Sequence, residues 1–311
     1  MILVTGSAGY IGSQLCHMLN KNKINFIGID NLKYANKKNI IIPRLFYKTD
    51  ISGEKIIQLI NKKKINTVIH CAAYSYVVDG EKNKKKYIEN NIIKTKKFID
   101  ICQKNLIKNF IFLSSSNVYK DGKSIFHENN KKEPKNLYGR NKLEIENYLK
   151  KKFENLIILR LFNVVGLLKK FHIFEFEQNK YQRLFFKMVD KENTPILRYF
   201  NIKKKKVFPK RDFVNIDDVI DLILKILKKI KKKKINETFN VGSGKATPIN
   251  EILKIFKKYN KNLKILDPKI ITKKELVSTK ANINKIKKFV NWKPKRKIKQ
   301  SILTTIKYGS F

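Results

Sequence analysis

Tyr138 and Lys142 are the residues in this 311-residue chain whose types and spacing point most directly to chemistry. They lie four positions apart in "LYGRNKLEIENYLKKK", a segment with helical periodicity, and residues four apart share one face of a helix. Ile145 and Leu149 continue the same stripe, so the pattern predicts that this face points into the protein. A free tyrosine has a pKa of about 10, and a neighbouring ammonium favours the phenolate. The pair is therefore a candidate proton acceptor at neutral pH.

The Tyr138–Lys142 spacing also fits a lysine that extends past a core tyrosine towards solvent, since this spacing arises by chance in many helices. Three consecutive serines at 114–116 end a predicted strand shortly before the helix. A serine hydroxyl there can hold a substrate oxygen and pass a proton. For Ser114 and Ser116, hydrogen bonding at the strand end is the alternative role.

Gly6, Gly9 and Gly12 in "LVTGSAGYIGSQL" follow an apolar strand and open a helix. The first permits a tight exit from the strand, the second lets backbone approach a pyrophosphate, and the third lets the helix pack closely. The helix N-terminus offers unpaired N–H groups to phosphates. Asp30 ends the next predicted strand, where a carboxylate would bind ribose hydroxyls and repel a 2′-phosphate, which favours NAD over NADP. A turn or cap role is the alternative for Asp30.

Strands that alternate with helices must position these residues, and the first half of the chain has that pattern. Apolar strands in "MILVTG", "NFIGID", "NTVIHCAA", "KNFIFLSSS" and "NLIILRLF" alternate with helices, one of them predicted over residues 86–105. The alternation predicts an α/β fold, a Rossmann-like doubly wound parallel sheet with a smaller C-terminal α/β substrate-binding domain. We place the domains at 1–165 and 166–311, with a segment near 211–245 returning to the first.

Composition narrows the class of protein further. The net charge of +45 is carried by lysines spread over the whole chain, which favours a solvated surface over a nucleic-acid interface. No apolar run reaches the length of a membrane span, and the start of the sequence lacks a signal peptide. The cysteines and histidines have no metal-binding spacing. These features predict a cytoplasmic protein with no metal, no nucleic-acid partner and no membrane anchor.

Further segments, in order along nearly the whole chain, make the sequence resemble the extended short-chain dehydrogenase/reductase family, in its NAD-dependent epimerase/dehydratase type. They are "TDI" at 49–51, "HCAA" at 70–73, "SSSNVY" at 114–119, "YGRNK" at 138–142, "RLFN" at 160–163, "RDFVNIDDV" at 211–219, "NVGSG" at 240–244 and "NWKPK" at 291–295. The resemblance implies NAD as cofactor and a nucleotide sugar as substrate. It also implies that residues 166–311 mainly bind that sugar nucleotide.

The resemblance implies a role for each matching residue. The catalytic residues are Ser115, Tyr138 and Lys142. The cofactor contacts are Gly6, Gly9, Tyr10, Ile11, Gly12, Asp30, Asn31, Asp50, Ile51, Ala72, Ala73, Asn90, Ser114, Tyr138, Lys142 and Phe162. The substrate contacts are Ser115, Tyr138, Asn163 and Arg211. An ion pair with a nearby aspartate is the alternative for Arg211, and a turn after a strand is the alternative for Asn163.

The segments are most similar to those of family members that epimerise UDP-glucose and UDP-galactose at C4. That reaction oxidises C4 to a 4-keto sugar and returns hydride to the other face. Ser116 and Asn117 stand where a 4,6-dehydratase of the family carries an acid–base pair, which argues against dehydration. One departure is Ser75, which stands where such epimerases carry a lysine.

Other functions stay open at the level of sequence. The chain could instead be a different NAD-dependent nucleotide-sugar dehydratase, decarboxylase or reductase, or a non-catalytic NAD-binding sensor. The intact Tyr138–Lys142 pair argues against the sensor. The family resemblance also implies a homodimer formed through helices of the first domain.

Overall fold

The computed structural model describes residues 1–172, 184–189, 196–230, 234–260, 263, 266–271 and 277–310. The chain forms two compact units. The first comprises Met1–Lys120, Lys131–Leu161 and Ile223–Phe239, and the second comprises Asp121–Asn130, Phe162–Leu222 and Asn240–Phe311. The sequence places the boundary at 165 and the returning segment near 211–245. The assignment of residues 166–311 to a nucleotide sugar stays a prediction.

Strands and helices alternate over the first half of the chain. The strands are β1 (Ile2–Thr5), β2 (Phe26–Asp30), β3 (Phe46–Lys48), β4 (Thr67–His70), β5 (Asn109–Ser115), β6 (Ile125–Phe126) and β7 (Leu156–Leu161). The helices are α1 (Tyr10–Lys21), α2 (Lys55–Lys62), α3 (Val77–Lys82), α4 (Lys84–Ile88), α5 (Lys94–Lys104) and α6 (Leu137–Lys152). Short 3₁₀ turns lie at Lys37–Asn39, Pro43–Leu45 and Ser116–Val118.

The second half of the chain has shorter strands. They are β8 (Asn163–Val165), β9 (Phe171–His172), β10 (Ile196–Ile202), β11 (Lys205–Val207), β12 (Lys210–Asn215), β13 (Asn236–Val241), β14 (Ala246–Pro248), β15 (Leu266–Ile270), β16 (Lys280–Ala281) and β17 (Gly309–Ser310). The helices are α7 (Leu184–Lys187), α8 (Ile216–Ile230), α9 (Ile249–Tyr259), α10 (Asn284–Val290) and α11 (Ile298–Tyr308). None of the described helices is long and apolar enough to cross a membrane.

A seven-stranded sheet in the order β13-β7-β5-β4-β1-β2-β3 forms the centre of the first unit. Strand β1 pairs in parallel with β2 on one side and with β4 on the other, so the chain order reverses between β1 and β4. Strand β4 pairs in parallel with β5, and β5 with β7. The predicted doubly wound α/β fold is therefore confirmed. In such sheets ligands bind at the carboxyl ends of the strands where the order reverses.

The strands of the central sheet are continuous apolar runs because their side chains are buried. Every residue of β1 and β4 is buried, as a parallel sheet covered by helices requires. One core cluster joins the sheet to α2 through Ile56, to α5 through Phe98, and to α6 through Ile145 and Leu149. The last two contacts confirm that this face of α6 points inward.

The helix predicted over residues 86–105 is interrupted. A π-helical turn at Glu89–Ile93 separates α4 from α5. The buried side chain of Asn91 lies in this turn and binds the backbone of Tyr74 twice, accepting from its N–H at 2.8 Å and donating to its carbonyl at 2.9 Å. Turns of this type inside α-helices are frequent at functional sites. Here the turn fixes the loop that follows β4.

The carboxylate of Asp212 on β12 organises the second unit. Its Oδ1 accepts from the N–H and hydroxyl of Ser243, at 2.6 and 2.7 Å, and its Oδ2 accepts from the N–H groups of Gly244 and Ala281, both at 3.0 Å. Strand β12 lies between β14 and β8 in a three-stranded sheet. One buried side chain thus joins this sheet to the loop after β13 and to β16.

Candidate active site

The glycine turn after β1 is closed by backbone contacts that admit no side chain. Gly6 has a φ of +66°, and a Cβ there would lie 2.8 Å from the Cα and N of Ala72. A Cβ on Gly12 would lie 2.1 Å from the carbonyl oxygen of Gly6. Gly12 therefore lets α1 pack onto the glycine turn itself rather than onto the sheet. Since β1 and β4 are neighbours, the turn lies at the point where the strand order reverses.

Gly9 leaves space beside the start of α1. A Cβ on Gly9 would meet one atom within 4 Å, the carbonyl oxygen of Gly6 at 3.2 Å. Gly9 is the N-cap residue of α1, no side chain caps the helix, and no acidic residue lies in its first turn. Tyr10 is buried and Ile11 is half-buried in that turn. The turn and the helix start thus form a cradle of the kind that accepts a dinucleotide phosphate.

Asp30 joins the end of β2 to the glycine turn. Its Oδ2 accepts from the N–H of Ala8 at 3.2 Å, and its Oδ1 accepts from the N–H of Leu32 at 2.8 Å. Burial raises the pKa of Asp30, and these backbone hydrogen bonds partly oppose the shift. Asp30 therefore has the turn role that the sequence left as an alternative. Its role at a ribose stays a prediction, which a carboxylate with further lone pairs allows.

Asp50 lies beside Asp30 at the same edge of the sheet, after β3. It accepts hydrogen bonds from the ammonium of Lys94 at 2.8 Å, from Asn31 Nδ2 at 3.3 Å, and from the N–H and hydroxyl of Ser52. Partial burial raises the pKa of Asp50, but the hydrogen bonds outweigh it and hold the pKa at about 2. Ile51 beside it is buried. The predicted cofactor contact Asp50 is therefore fixed by Lys94, on a helix that the sequence did not connect to it.

Thr5 fixes the chain after β4, although the sequence did not single it out. Its hydroxyl oxygen accepts from the N–H of Ala72 at 3.2 Å and lies 2.8 Å from Nδ1 of His70. Burial and the charge of Lys142 lower the pKa of His70 to about 3, so the ring is neutral.

Asn90 and Ala73 border the same loop. Asn90 lies in the π-helical turn, half-buried, and its Nδ2 donates to Oδ1 of Asn91 at 3.0 Å. Ala73 is half-buried between Ala72 and Tyr74, both of which have the fixed backbone contacts described above. The two predicted cofactor contacts therefore lie on backbone that the buried Asn91 and Thr5 side chains hold in place.

The three serines at the end of β5 differ in their surroundings. Ser115 is buried, and its Oγ accepts from the N–H of Asn117 at 3.2 Å, which caps the 3₁₀ turn. Ser114 is buried and donates its hydroxyl to Glu146 Oε1 at 2.5 Å. Ser114 therefore makes the strand-end hydrogen bond that the sequence offered as an alternative. Ser115 remains the candidate for contact with substrate.

Lys142 is a buried cation one turn along α6 from Tyr138. Its side chain is 5% exposed, its ammonium donates to the carbonyl of Leu113 at 2.7 Å, and it lies 5.7 Å from the centre of the Tyr138 ring. Because the ammonium is buried, Lys142 does not extend past the tyrosine to solvent. Burial lowers the pKa of Lys142 to about 8, a shift that the nearby Glu146 carboxylate opposes. The ammonium is therefore positive at neutral pH, and Tyr138 is half-buried beside it.

The remaining predicted residues lie in the second unit. Phe162 is buried, its N–H donates to the carbonyl of Val241 at 2.9 Å, and its ring contacts Phe126. Asn163 is exposed on β8, and its Nδ2 donates to the carbonyl of Asp212 at 3.0 Å. Arg211 is half-buried on β12 and donates to the carbonyl of Lys210 at 2.9 Å.

Asp212 and Asp217 are the aspartates closest to Arg211 in the sequence, and both accept hydrogen bonds. Asp217 accepts from Arg296 at 2.7 Å, and both oxygens of Asp212 accept the hydrogen bonds described above. The substrate roles of Asn163 and Arg211 stay predictions.

Comparison with known proteins places these features in a family. The sequence model of the NAD dependent epimerase/dehydratase family matches residues 2–242. The ADP-L-glycero-D-manno-heptose-6-epimerase of Brachyspira hyodysenteriae is 32% identical over 281 residues, 85% of this chain and 83% of the relative. A putative UDP-glucose 4-epimerase of Methanocaldococcus jannaschii is 30% identical over 265 residues, 83% and 81% of the two chains.

Solved structures agree with the sequence comparison. The UDP-glucose 4-epimerase of Thermotoga maritima, solved with UDP-glucose, superposes with a TM-score of 0.80 at 26% identity, covering 99% of this chain and 97% of that one. The chain belongs to the NAD-dependent epimerase/dehydratase family, as its motifs predicted, and its cofactor is NAD.

Replacing Gly12 with Ala tests the close approach of α1 to the glycine turn. The new Cβ would overlap the Gly6 carbonyl, so we expect a loss of about 1–3 kcal/mol in the free energy of unfolding and weaker NAD binding. Thermal denaturation and titration calorimetry measure the two effects. Gly53→Ala is the matched control, because its Cβ would lie 3.6 Å from the nearest atom. Equal unfolding temperatures for Gly12→Ala and the unchanged protein would contradict the prediction.

The Asp50–Lys94 ion pair predicts a stability difference that depends on pH. The folded pKa of Asp50 is about 2, below its unfolded value of about 3.9, so ionisation stabilises the fold above pH 4. Lys94→Met is expected to cost about 1 kcal/mol at pH 7, after allowance for solvent screening. The deficit should shrink as pH falls from 4 towards 2. Denaturation measured across this pH range checks the trend, with Lys97→Met, at an exposed lysine of the same helix, as control. A deficit independent of pH would contradict the prediction.

Proposed function

We propose that the chain is an NAD-dependent epimerase that inverts C4 of a UDP-linked hexose, of the UDP-glucose/UDP-galactose type. The proposal rests on the buried Lys142 ammonium, which lies beside Tyr138 at the carboxyl edge of the sheet. The glycine turn at the same edge has the shape that a dinucleotide needs. A buried cation next to a phenol favours the phenolate, which is the form a general base needs.

The residues at the carboxyl edge of the sheet fit NAD. Gly9 leaves space beside the start of α1, and Asp30 lies next to this glycine turn because it accepts from the N–H of Ala8. The remaining predicted contacts of the first unit, from Asn31 and Asp50 to Ala72 and Asn90, lie in loops that follow strands of the same sheet or in the helix after β4. When bound, NAD⁺ supplies the hydride acceptor and, later, the hydride donor.

In the proposed mechanism the protein holds and moves one proton. Tyr138, as phenolate, accepts the proton of the sugar 4-hydroxyl, and Ser115 donates a hydrogen bond to the same oxygen. Lys142 keeps the phenolate stable through its charge and is held in place by the carbonyl of Leu113. Proton return from Tyr138 completes the inverted sugar. We assign Asn163 to the sugar and Arg211 to the diphosphate, since a guanidinium pairs well with phosphate oxygens.

A second substrate merits a test because of the 32% identical heptose epimerase. That relative is named for an ADP-linked heptose and for C6. If this chain used such a substrate, both the nucleotide and the carbon that is inverted would differ from those of the proposed reaction. Dehydration is disfavoured, because Ser116 and Asn117, which open the 3₁₀ turn after β5, carry no acid–base group. The same cofactor would also serve a decarboxylase, a reductase or a sensor that binds NAD without turnover.

We expect the purified chain to interconvert UDP-glucose and UDP-galactose, or their N-acetyl forms, in a panel that includes ADP-heptose. On the substrate that is converted, Tyr138→Phe should lower kcat by about 10²- to 10⁴-fold while NAD stays bound, since it removes the proton acceptor. Chromatography of the sugar nucleotides provides the measurement. Tyr148→Phe on the same helix is the control, because that hydroxyl binds Asp100. No conversion of any sugar would refute the epimerase, and full activity in Tyr138→Phe would refute the mechanism.

We further propose a cytoplasmic homodimer. The cysteines Cys16, Cys71 and Cys102 are free, as a reducing compartment favours. Ile88 and Ile93, in and after α4, expose apolar side chains on the helical layer where the family resemblance implies self-association. Light scattering should give twice the 36.7 kDa mass of the chain, and Ile93→Lys should lower that mass. A mass of one chain for the unchanged protein at micromolar concentration would exclude the dimer.

A further inference from the structure

Glu146 and Arg160 form an ion pair in the interior of the first unit, and none of the roles assigned above uses it. The Glu146 side chain is fully buried and that of Arg160 is 1% exposed. Arg160 donates from Nε at 3.0 Å to Oε1 and from Nη2 at 2.6 Å to Oε2. Sequence analysis missed the pair, although Glu146 continues the stripe of Tyr138 and Lys142 on α6.

The pair connects the elements that carry the proton-transfer residues. Successive turns of α6 hold successive residues of β5, because Lys142 binds the carbonyl of Leu113 and Glu146 binds the hydroxyl of Ser114. Ser115 follows directly in the chain. The segment between Leu113 and Ser115 therefore cannot shift along α6 without breaking one of these hydrogen bonds.

Arg160 also contacts the chain that follows Ser115. It lies directly opposite Ser114 in the parallel pairing of β5 with β7. Its Nη1 donates to the hydroxyl of Tyr119 at 3.0 Å, and its guanidinium lies 4.9 Å from the centre of that ring. Tyr119 follows the 3₁₀ turn that Ser115 caps. The chain is thus held by the ion pair both before and after Ser115.

Stability alone does not account for two charges in this place. Removing two ions from water costs several kcal/mol each, and apolar replacements of buried pairs are often neutral or stabilising. A bidentate guanidinium–carboxylate pair fixes distance and orientation more tightly than apolar contacts do. We therefore expect the charged pair to supply geometry more than net stability.

We propose that Glu146 and Arg160 are positioning residues, which hold Ser115 on β5 in register with Tyr138 and Lys142 on α6. The inference rests on the proposed function, because it assigns these three residues to proton transfer. The pair touches neither substrate nor cofactor in this role. Its effect reaches the reaction through the position of Ser115 and through the distance between the Lys142 ammonium and the Tyr138 ring.

Several other groups act on the same region and define the controls. His70 and Cys71 approach Lys142 from the end of β4, and His70 is neutral. Lys132 acts on Arg160 and Glu146 from the loop before α6. None of these groups is changed in the variants below, so a difference between variants reports on the ion pair.

The test replaces both charges at once, in Glu146→Met/Arg160→Met, so that no buried charge is left without its partner. We expect kcat to fall by about 10- to 100-fold with little change in KM, as for a displaced catalytic group. Ultraviolet absorbance of the phenolate follows the ionisation of Tyr138, as the part of the signal that is lost in Tyr138→Phe. In the NAD-bound double variant, this part should titrate at higher pH than in the unchanged protein. The exposed pair on α5 and α6, changed in Lys96→Met/Glu144→Met, is the control and should leave both readouts unchanged.

The double variant overturns the proposal if it binds NAD and retains the unchanged protein's kcat and Tyr138 titration. If it does not fold, Tyr119→Phe decides, because it removes one hydroxyl from the network. That variant should lower kcat a few-fold and move the titration in the same direction, and unchanged values would overturn the proposal. The titration needs no substrate, so it tests the positioning role even if no sugar nucleotide is converted.

Discussion

A buried ammonium group is the constraint around which the first unit is arranged. A lysine removed from water costs several kcal/mol unless polar groups surround it, and Lys142 meets this cost with the carbonyl of Leu113, the face of Phe112 and the nearby charge of Glu146. The first two groups belong to β5, so α6 must pack on that strand. This packing brings Tyr138 to the carboxyl edge of the sheet. The placement of the phenol therefore follows from the accommodation of the cation.

The glycine turn applies a second constraint at the same edge. Contact between Gly6 and the backbone of Ala72 brings the loops after β1 and β4 together, and Thr5 reinforces it through His70. Two carboxylates lie beside this turn. Backbone N–H groups donate hydrogen bonds to Asp30, and the ammonium of Lys94 pairs with Asp50. Neither needs a ligand to keep its orientation. The edge is thus preorganised, which lowers the entropic cost of binding a dinucleotide.

The relatives differ in the substrates for which they are named. One is named for an ADP-linked heptose and another for UDP-glucose. The proposed proton-transfer residues lie in the first unit, whereas Asn163 and Arg211 lie in the second. Function is set by the site rather than by the fold, so a shared hydride and proton apparatus is compatible with different sugars.

The sequence by itself determined the alternating strands and helices, the glycine turn and the inward stripe of α6. Each of these is a local pattern, set by periodicity or by the backbone freedom of glycine. Only the tertiary structure decided the π-helical turn at Asn91, the Thr5–His70 contact and the Glu146–Arg160 pair. Each depends on side chains that are distant in the sequence and meet when strands pair and helices pack, a proximity that local periodicity does not encode.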